Sequence, residues 1–213
     1  MELVRQKAYR KTFEIACERL AGLPIEERLE AAALPFERAG DEYRVEMRFF
    51  DEQIELAVPD FSFKSAKGSN ITLTTKIILL HYIIAASGEP IASDLIPYED
   101  IPGCRAYAPV FERRVTKPML SAFGFARDPF LEAGLSLGGQ REEYGDASFT
   151  VRAFPRVPIT FILWEGDPDF PPDLKVLFDR SVKSYLPLED IVVVSKMAAT
   201  RIIKEARKEY TEG

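Results

Sequence analysis

Five carboxylates and three prolines follow a strand-like apolar run in the segment ILWEGDPDFPPDLKVLFD. Asp167 and Asp169 could bind a hard cation together, or divide acid and base roles if their environments separate their pKa values. Trp164 precedes this pair, and Phe170 and Asp179 follow it. The same residues are also typical of a turn, because Asp before Pro begins turns and the prolines prevent the coordinating loop of calcium sites. Both the structural and the functional interpretation stay open.

His81 is the only histidine of the chain, and helical spacing places it beside the apolar residues of ILLHYIIAA. Its imidazole could act as a general base with Asp167 or Asp169 across a cleft, as in a hydrolase- or lyase-like enzyme. That role requires a carboxylate within hydrogen-bond or one-water reach. A buried histidine with one hydrogen-bond partner and no catalytic role explains the same position.

Cys17 and Cys104 are the only cysteines, far apart in the chain and outside any CxxC pair. They predict neither a disulfide framework nor a metal site, and a zinc site that included His81 would lack every usual ligand spacing. Cys104 is either an ordinary loop thiol or a nucleophile whose thiolate the adjacent Arg105 favours. We therefore expect no metal, and the sequence assigns no cofactor.

The composition is that of a globular protein, with 46% hydrophobic and 29% charged residues among 213. A net charge of -6 repels phosphate backbones and predicts no nucleic-acid partner. The longest apolar run, IILLHYIIAA, is about half of the ~20 residues that cross a bilayer, so no membrane partner is expected. The N-terminal stretch has no apolar secretory region, and we expect a cytoplasmic protein.

Hydrophobic periodicity predicts both helices and strands. The predicted helices cover residues 3–21, 109–123, 129–137 and 187–210, and a further apolar helix begins after Thr72 or Thr74 and ends at Ser87-Gly88. Pro118 predicts a break in the helix at 109–123. Alternating residues predict a hairpin over 41–61 with its turn at Asp51 and Glu52, and neighbouring strands at 148–154 and 157–164. The last strand is apolar on both faces and is expected in the centre of its sheet.

These elements predict an α+β fold, in which hairpins from both halves of the chain form antiparallel sheet structure with helices packed on it. No regular alternation of strand and helix indicates a doubly wound sheet. We expect a single domain over residues 1–213, with a soft division near residue 140.

The C-terminal third carries an ordered series of motifs that resembles a bacterial and archaeal family, the domain of unknown function 3786. The motifs are a W-x-G-D-x-x-F-P string, then LFD, then YLP-x-ED, and they fall on Trp164, Gly166, Asp167, Phe170, Pro171, Leu177, Phe178, Asp179, Tyr185, Leu186, Pro187, Glu189 and Asp190. The segment ILLHYIIAASGEP is similar to the family's LLHYL helix, which adds Tyr82 as a ligand-binding candidate. The resemblance covers about residue 30 to the C-terminus.

The resemblance implies a protein of anaerobes whose activity is not established. Some family members resemble fusions with a cysteine-rich iron-sulfur domain of corrinoid one-carbon proteins. This chain has no cysteine cluster and cannot hold such a cluster itself, which weakens a redox role.

Three functions follow as hypotheses. The first is a ligand-binding or accessory module linked to anaerobic one-carbon or corrinoid metabolism, with a small molecule or a corrinoid or iron-sulfur protein as partner. The resemblance implies that its ligand pocket lies near Trp164, Asp167, Phe170 and Asp179. The second is the enzyme that would use His81 with Asp167 or Asp169. The third is a structural protein-interaction domain, which predicts an exposed apolar patch. The sequence leaves open whether the chain is an enzyme and which oligomer it forms.

Overall fold

The structure is a computed structural model that describes the backbone of residues 2–212 and the side chains of residues 6–208. It has the predicted α+β fold, with two antiparallel sheets and helices. The chain divides into two compact units. The first contains residues 1–90 and 184–187, and the second contains residues 91–183 and 188–213. The expectation of a single domain with a soft division near residue 140 stays a prediction; residue 140 begins a strand within the second unit.

The first unit combines three helices with a four-stranded meander in the order β1-β2-β3-β4. Its elements are α1 (Glu2–Ala21), α2 (Ile25–Ala31), β1 (Phe36–Ala39), β2 (Glu42–Phe49), β3 (Glu52–Val58), β4 (Ser62–Ser65) and α3 (Leu73–Ala85). The predicted hairpin is confirmed as β2 and β3, and the alternation in β2 buries Val45, Met47 and Phe49. Thr72 caps α3, as one of the two predicted residues, by accepting a hydrogen bond from the Thr75 N–H at 3.2 Å.

The second unit is built on a five-stranded sheet in the order β5-β9-β8-β7-β6. Its strands are β5 (Leu95–Pro97), β6 (Gln140–Arg141), β7 (Ala147–Phe154), β8 (Val157–Trp164) and β9 (Asp173–Asp179). The apolar strand β8 lies in the centre, as its composition predicted. Seven of its eight residues are buried, because neighbouring elements cover both faces.

The helices of the second unit follow the predicted positions with changed details. They are α4 (Ala108–Phe111), α5 (Lys117–Phe123), α6 (Arg127–Ser136) and α7 (Leu188–Glu212). A π-helical turn at Glu112–Thr116 joins α4 to α5, immediately before Pro118. The break predicted at Pro118 is therefore a local widening of a continuous helical backbone, in which a missing proline N–H is tolerated.

The core of the second unit is rich in aromatic rings. Phe130 from α6 packs on Phe149 of β7 with a centroid distance of 4.7 Å, and Phe149 stacks on Phe161 of β8 at 5.5 Å. Gly134 of α6 permits this contact, since a Cβ at that position would lie 2.4 Å from the Phe149 ring. These rings fix α6 on one face of the sheet.

Candidate functional site

A groove of about 770 Å³ lies within the second unit, beside the ends of β8 and β9. Ligand sites commonly have volumes of about 300–1,000 Å³ and mostly apolar walls with few polar groups. The lining residues come from the sheet, from the segment after β5, from α4 with its π-helical turn, and from the β6–β7 loop. They are Pro97, Tyr98, Glu99, Ala108, Pro109, Phe111, Glu112, Thr116, Tyr144, Gly145, Ile162, Trp164, Leu174, Lys175, Val176 and Leu177.

Trp164 and Lys175 form the most distinctive part of the groove. Ile162 pairs with Lys175 across β8 and β9, and Trp164 is two residues further along the same face. The Lys175 ammonium lies 5.4 Å from the centroid of the Trp164 ring, a cation–π arrangement. Among the described residues, no carboxylate lies within 4.0 Å of this ammonium. Trp164 remains 36% exposed and is the only tryptophan of the chain.

A stack of aromatic rings supports one wall of the groove. The Tyr98 and Phe111 rings stack at 4.4 Å with an interplanar angle of 13°, and both meet the Phe178 ring of β9 in a T-shaped arrangement. Burial, together with a hydrogen bond to Cys104, raises the pKa of Tyr98 well above its ordinary value. Burial likewise raises the pKa of the Cys104 thiol. The Cys104 thiol is therefore protonated and buried. Of the two predicted alternatives, an ordinary thiol or a nucleophile, this environment favours the ordinary thiol.

The acidic turn after Trp164 has the hydrogen bonds of a local Asx turn. The Asp167 carboxylate accepts from the backbone N–H groups of Asp169 at 2.8 Å and Phe170 at 2.7 Å. The Asp167 N–H donates to the Phe170 carbonyl at 2.9 Å. Asp169 is exposed, and Phe170 is 71% exposed. These hydrogen bonds are the ones that an Asp-Pro sequence forms in a turn.

Asp179, at the end of β9, has a different environment from the turn, since only 1% of it is exposed. Its carboxylate accepts from the N–H groups of Ala92 at 3.0 Å and Ser93 at 2.7 Å. It also accepts from the Ser181 N–H at 3.0 Å and the Ser181 hydroxyl at 2.6 Å. Asp179 thereby holds the loop before β5 against the end of β9.

His81 and Tyr82 lie on α3 in the first unit. Tyr82 is buried, and its hydroxyl donates to the Ala32 carbonyl at 2.6 Å. His81 is half-buried. Since Asp167 and Asp169 belong to the second unit, the predicted pairing of His81 with either carboxylate stays a prediction.

Of the ligand-binding residues predicted from sequence, Trp164 lines the groove, whereas Asp167, Phe170, Asp179 and Tyr82 do not. Sequence reasoning missed Lys175 and the aromatic wall. The alternation in DLKVLFD was the available signal for Lys175, because it places Lys175 and Leu177 on one face of a strand. The wall joins residues distant in sequence, and no local pattern predicts it.

The described part of the chain contains neither a metal-binding cluster nor a membrane-spanning helix. Among residues 6–208, whose side chains the structure describes, no group of three or more His, Cys, Asp and Glu side chains is arranged to hold a metal ion. None of the helices within residues 2–212 combines the length and the apolar character that a bilayer crossing requires.

Comparison with known proteins identifies the family of the chain. No curated protein and no solved structure matches the chain. The family model described as a domain of unknown function (DUF3786) matches residues 24–201. This range is most of the chain and contains every motif on which the resemblance was based, so the protein belongs to the DUF3786 family.

Proposed function

We propose that this protein is a cytoplasmic accessory module that binds a ligand in the groove beside Trp164. The observation that carries the proposal is the pairing of a partly exposed indole with an ammonium that has no carboxylate partner among the described residues. A charged group left without a counterion in a concave, largely apolar site is a common mark of ligand recognition.

The groove chemistry indicates the kind of ligand. Apolar and aromatic side chains from β8, β9 and α4 suit an apolar body, and Lys175 suits an acidic group placed near the indole. Glu99 and Glu112 line the groove as well. Among ligands of one class, we therefore expect affinity to fall as the number of negative charges rises.

The link to anaerobic one-carbon or corrinoid metabolism rests on the family and not on the groove. Members of one family often act in related metabolism, and family membership is the basis of the link. The expected ligand is accordingly either a small molecule of that metabolism or a corrinoid or iron-sulfur protein.

Fluorescence of the single tryptophan provides a direct test. Excitation at about 295 nm would report on Trp164 alone, so a ligand in the groove should shift or quench the emission. It should also raise the melting temperature, because binding only to the folded state stabilises that state. The first ligands to titrate are corrinoids, folates and tetrapyrroles.

Matched variants locate any binding. Lys175→Ala should weaken an acidic ligand about tenfold, as expected for a lost charge-assisted contact. Lys64→Ala, which removes an exposed lysine from strand β4, should leave the affinity unchanged. A flat response of both emission and melting temperature to all three ligand classes would remove the metabolic link. Binding that is insensitive to Lys175→Ala would remove the groove as the site.

A second candidate function is protein interaction through two exposed phenylalanines, Phe125 and Phe170, each 71% exposed. Their loops are joined by a hydrogen bond from the Gly166 N–H to the Gly124 carbonyl at 2.8 Å. A contiguous exposed apolar patch is typical of an interaction site, and two phenylalanines on adjoining loops would contribute to such a patch.

Gel filtration provides the test of this second candidate. The wild type should elute above the 24.1 kDa of one chain, and the double variant Phe125→Ser/Phe170→Ser should elute as a monomer. Tyr107→Ser, at a residue that is 49% exposed outside these loops, serves as the control. A monomeric wild type would contradict self-association through the two phenylalanines.

A further inference from the structure

The outer edge of β9 is only partly covered by another strand. β9 pairs with β8 over Asp173–Phe178. On its other side it pairs with β5, and only at Leu177, Phe178 and Asp179. Within the described chain, residues 173–176 therefore have a neighbouring strand on one side alone.

The course of the chain after β5 explains why the pairing stops. Pro97 is the last residue of β5 and lies opposite Leu177, at a position whose backbone groups point away from β9 and where a proline is therefore tolerated. The chain then turns into a 3₁₀ helix at Tyr98–Asp100 and leaves the sheet. Four residues of β9, about 13 Å of strand, consequently extend beyond the end of their neighbour.

The register identifies which backbone groups face this open side. The Arg180 N–H donates to the Asp94 carbonyl at 2.9 Å on the side of β5. Backbone groups alternate in direction along a strand, so Phe178, Val176 and Leu174 direct theirs to the same side. The Leu174 N–H donates to the Asp173 carboxylate at 2.9 Å. The backbone groups of Val176 have no strand partner there.

This open edge borders the groove. Leu174, Lys175 and Val176 all line it, and Pro109 and Thr116 of the helical segment line it as well. An unpaired strand edge in a cleft with apolar walls is the arrangement by which an extended peptide is added to a sheet.

We propose that the ligand of the groove is an extended segment of a partner protein, which adds a short strand to β9 at residues 173–176. This inference rests on the proposed function, since it takes the groove as the binding site. The backbone of Val176 supplies the ladder contacts. Lys175 selects a segment with an acidic side chain near the indole of Trp164, where it has no carboxylate partner among the described residues.

A second copy of this chain is a poor occupant of the same edge. The same strand of a second copy would bring its own helical segment with it, because that segment lines the groove beside the strand. A free peptide can enter the groove as a single strand. Lys175 has an alternative role, because lysines on edge strands prevent self-association. If that is its sole role, peptides should not bind.

The test uses a random decapeptide library displayed on phage and selected against the full chain. A selected peptide is then synthesised in two forms, each carrying two N-methyl groups on alternate residues. In one form the methyl groups replace the N–H groups that face β9, and in the other they replace those that face away. The first form should bind at least about tenfold more weakly than the unmodified peptide, and the second within about threefold, because only one series of N–H groups can join the ladder.

Two further measurements connect the peptide to the groove. Binding should change the Trp164 emission. Lys175→Glu should weaken the selected acidic peptides more than about fivefold, while Lys64→Glu should not.

The outcomes separate this inference from the function on which it rests. Selection of no peptide, or equal weakening by both methylated forms, overturns the strand-addition proposal. If small molecules still shift the Trp164 emission in that case, the groove remains a binding site. If neither peptides nor small molecules change the emission, both proposals fall.

Discussion

Replacement of Asp179 should destabilise the protein more than replacement of any other carboxylate in residues 162–179. The carboxylate accepts four hydrogen bonds, from the N–H groups of Ala92, Ser93 and Ser181 and from the Ser181 hydroxyl, at 2.6 to 3.0 Å. It is 1% exposed. Asp179→Ala would remove all four bonds and leave the buried donors of Ser181 without their acceptor.

The expected loss in the free energy of unfolding is about 2–4 kcal/mol. A hydrogen bond to a charged group contributes about 1.5–3 kcal/mol, but such bonds to one acceptor are not additive. Ala92 and Ser93 are exposed residues, so their N–H groups would regain water and reduce the loss. Asp179→Asn should lose less than Asp179→Ala, since an amide keeps one acceptor oxygen.

The loss should also depend on pH. Burial opposes ionisation of Asp179, but the hydrogen bonds from Ser181, Ala92 and Ser93 outweigh it and lower the pKa below its ordinary value. A lowered pKa means that the unfolded state binds more protons near pH 4. The stabilisation is therefore present above the unfolded pKa of about 3.9 and is lost as pH falls through the folded pKa.

Urea denaturation at pH 7 and pH 3 measures both effects. Asp169→Ala, at an exposed residue of the same segment, is the matched control and should change the free energy of unfolding by less than about 0.5 kcal/mol. If Asp179→Ala were as stable as Asp169→Ala at pH 7, the carboxylate would not hold the loop before β5 and the reasoning would be refuted.

Three further predictions test the core. Tyr82→Phe removes a buried hydroxyl that donates at 2.6 Å and should lower the free energy of unfolding by about 1–2 kcal/mol, measured by urea denaturation. Iodoacetamide at pH 8, followed by peptide mass spectrometry, should label Cys17 before the buried Cys104; equal labelling of the native protein would contradict the burial of Cys104. Gly134→Ala, whose Cβ would meet the Phe149 ring, should lower the melting temperature through overpacking that costs about 1–3 kcal/mol; an unchanged melting temperature would show that the ring has room to move.

Sequence periodicity predicted most of the fold because its strongest patterns reflect burial. The helix over residues 3–21 and the apolar helix after Thr72 exist close to the predicted bounds. The strands β7 and β8 were predicted from β-branched and aromatic residues, and the central position of β8 from its two apolar faces.

The elements that were missed are short or polar. β1 and β4 have four residues each, which is too few for a clear alternation. β9 was missed although DLKVLFD alternates, because the prolines and carboxylates before it indicated a turn. Since Lys175 is on β9, the loss of this strand also concealed the charged half of the candidate site.

The groove itself could not be predicted from local patterns. It joins Tyr98, Phe111 and Trp164, which are separated by many residues and meet only because β5 and α4 are placed beside β9. Motif comparison identified the neighbourhood of Trp164 but also selected Asp179 and Tyr82, whose hydrogen bonds hold the fold. Residues that stabilise a fold and residues that bind a ligand are alike in such a comparison.

The interleaved course of the chain determines how it can be shortened. Residues 184–187 return to the first unit before α7 begins, and there the Tyr185 ring lies 6.0 Å from Tyr82 while its hydroxyl donates to the Glu89 carbonyl. A fragment that ends at residue 90 would lose this aromatic neighbour and expose apolar surface in its place. Limited proteolysis near residue 90 should therefore yield two pieces that remain associated, and neither piece should be expected to express well by itself.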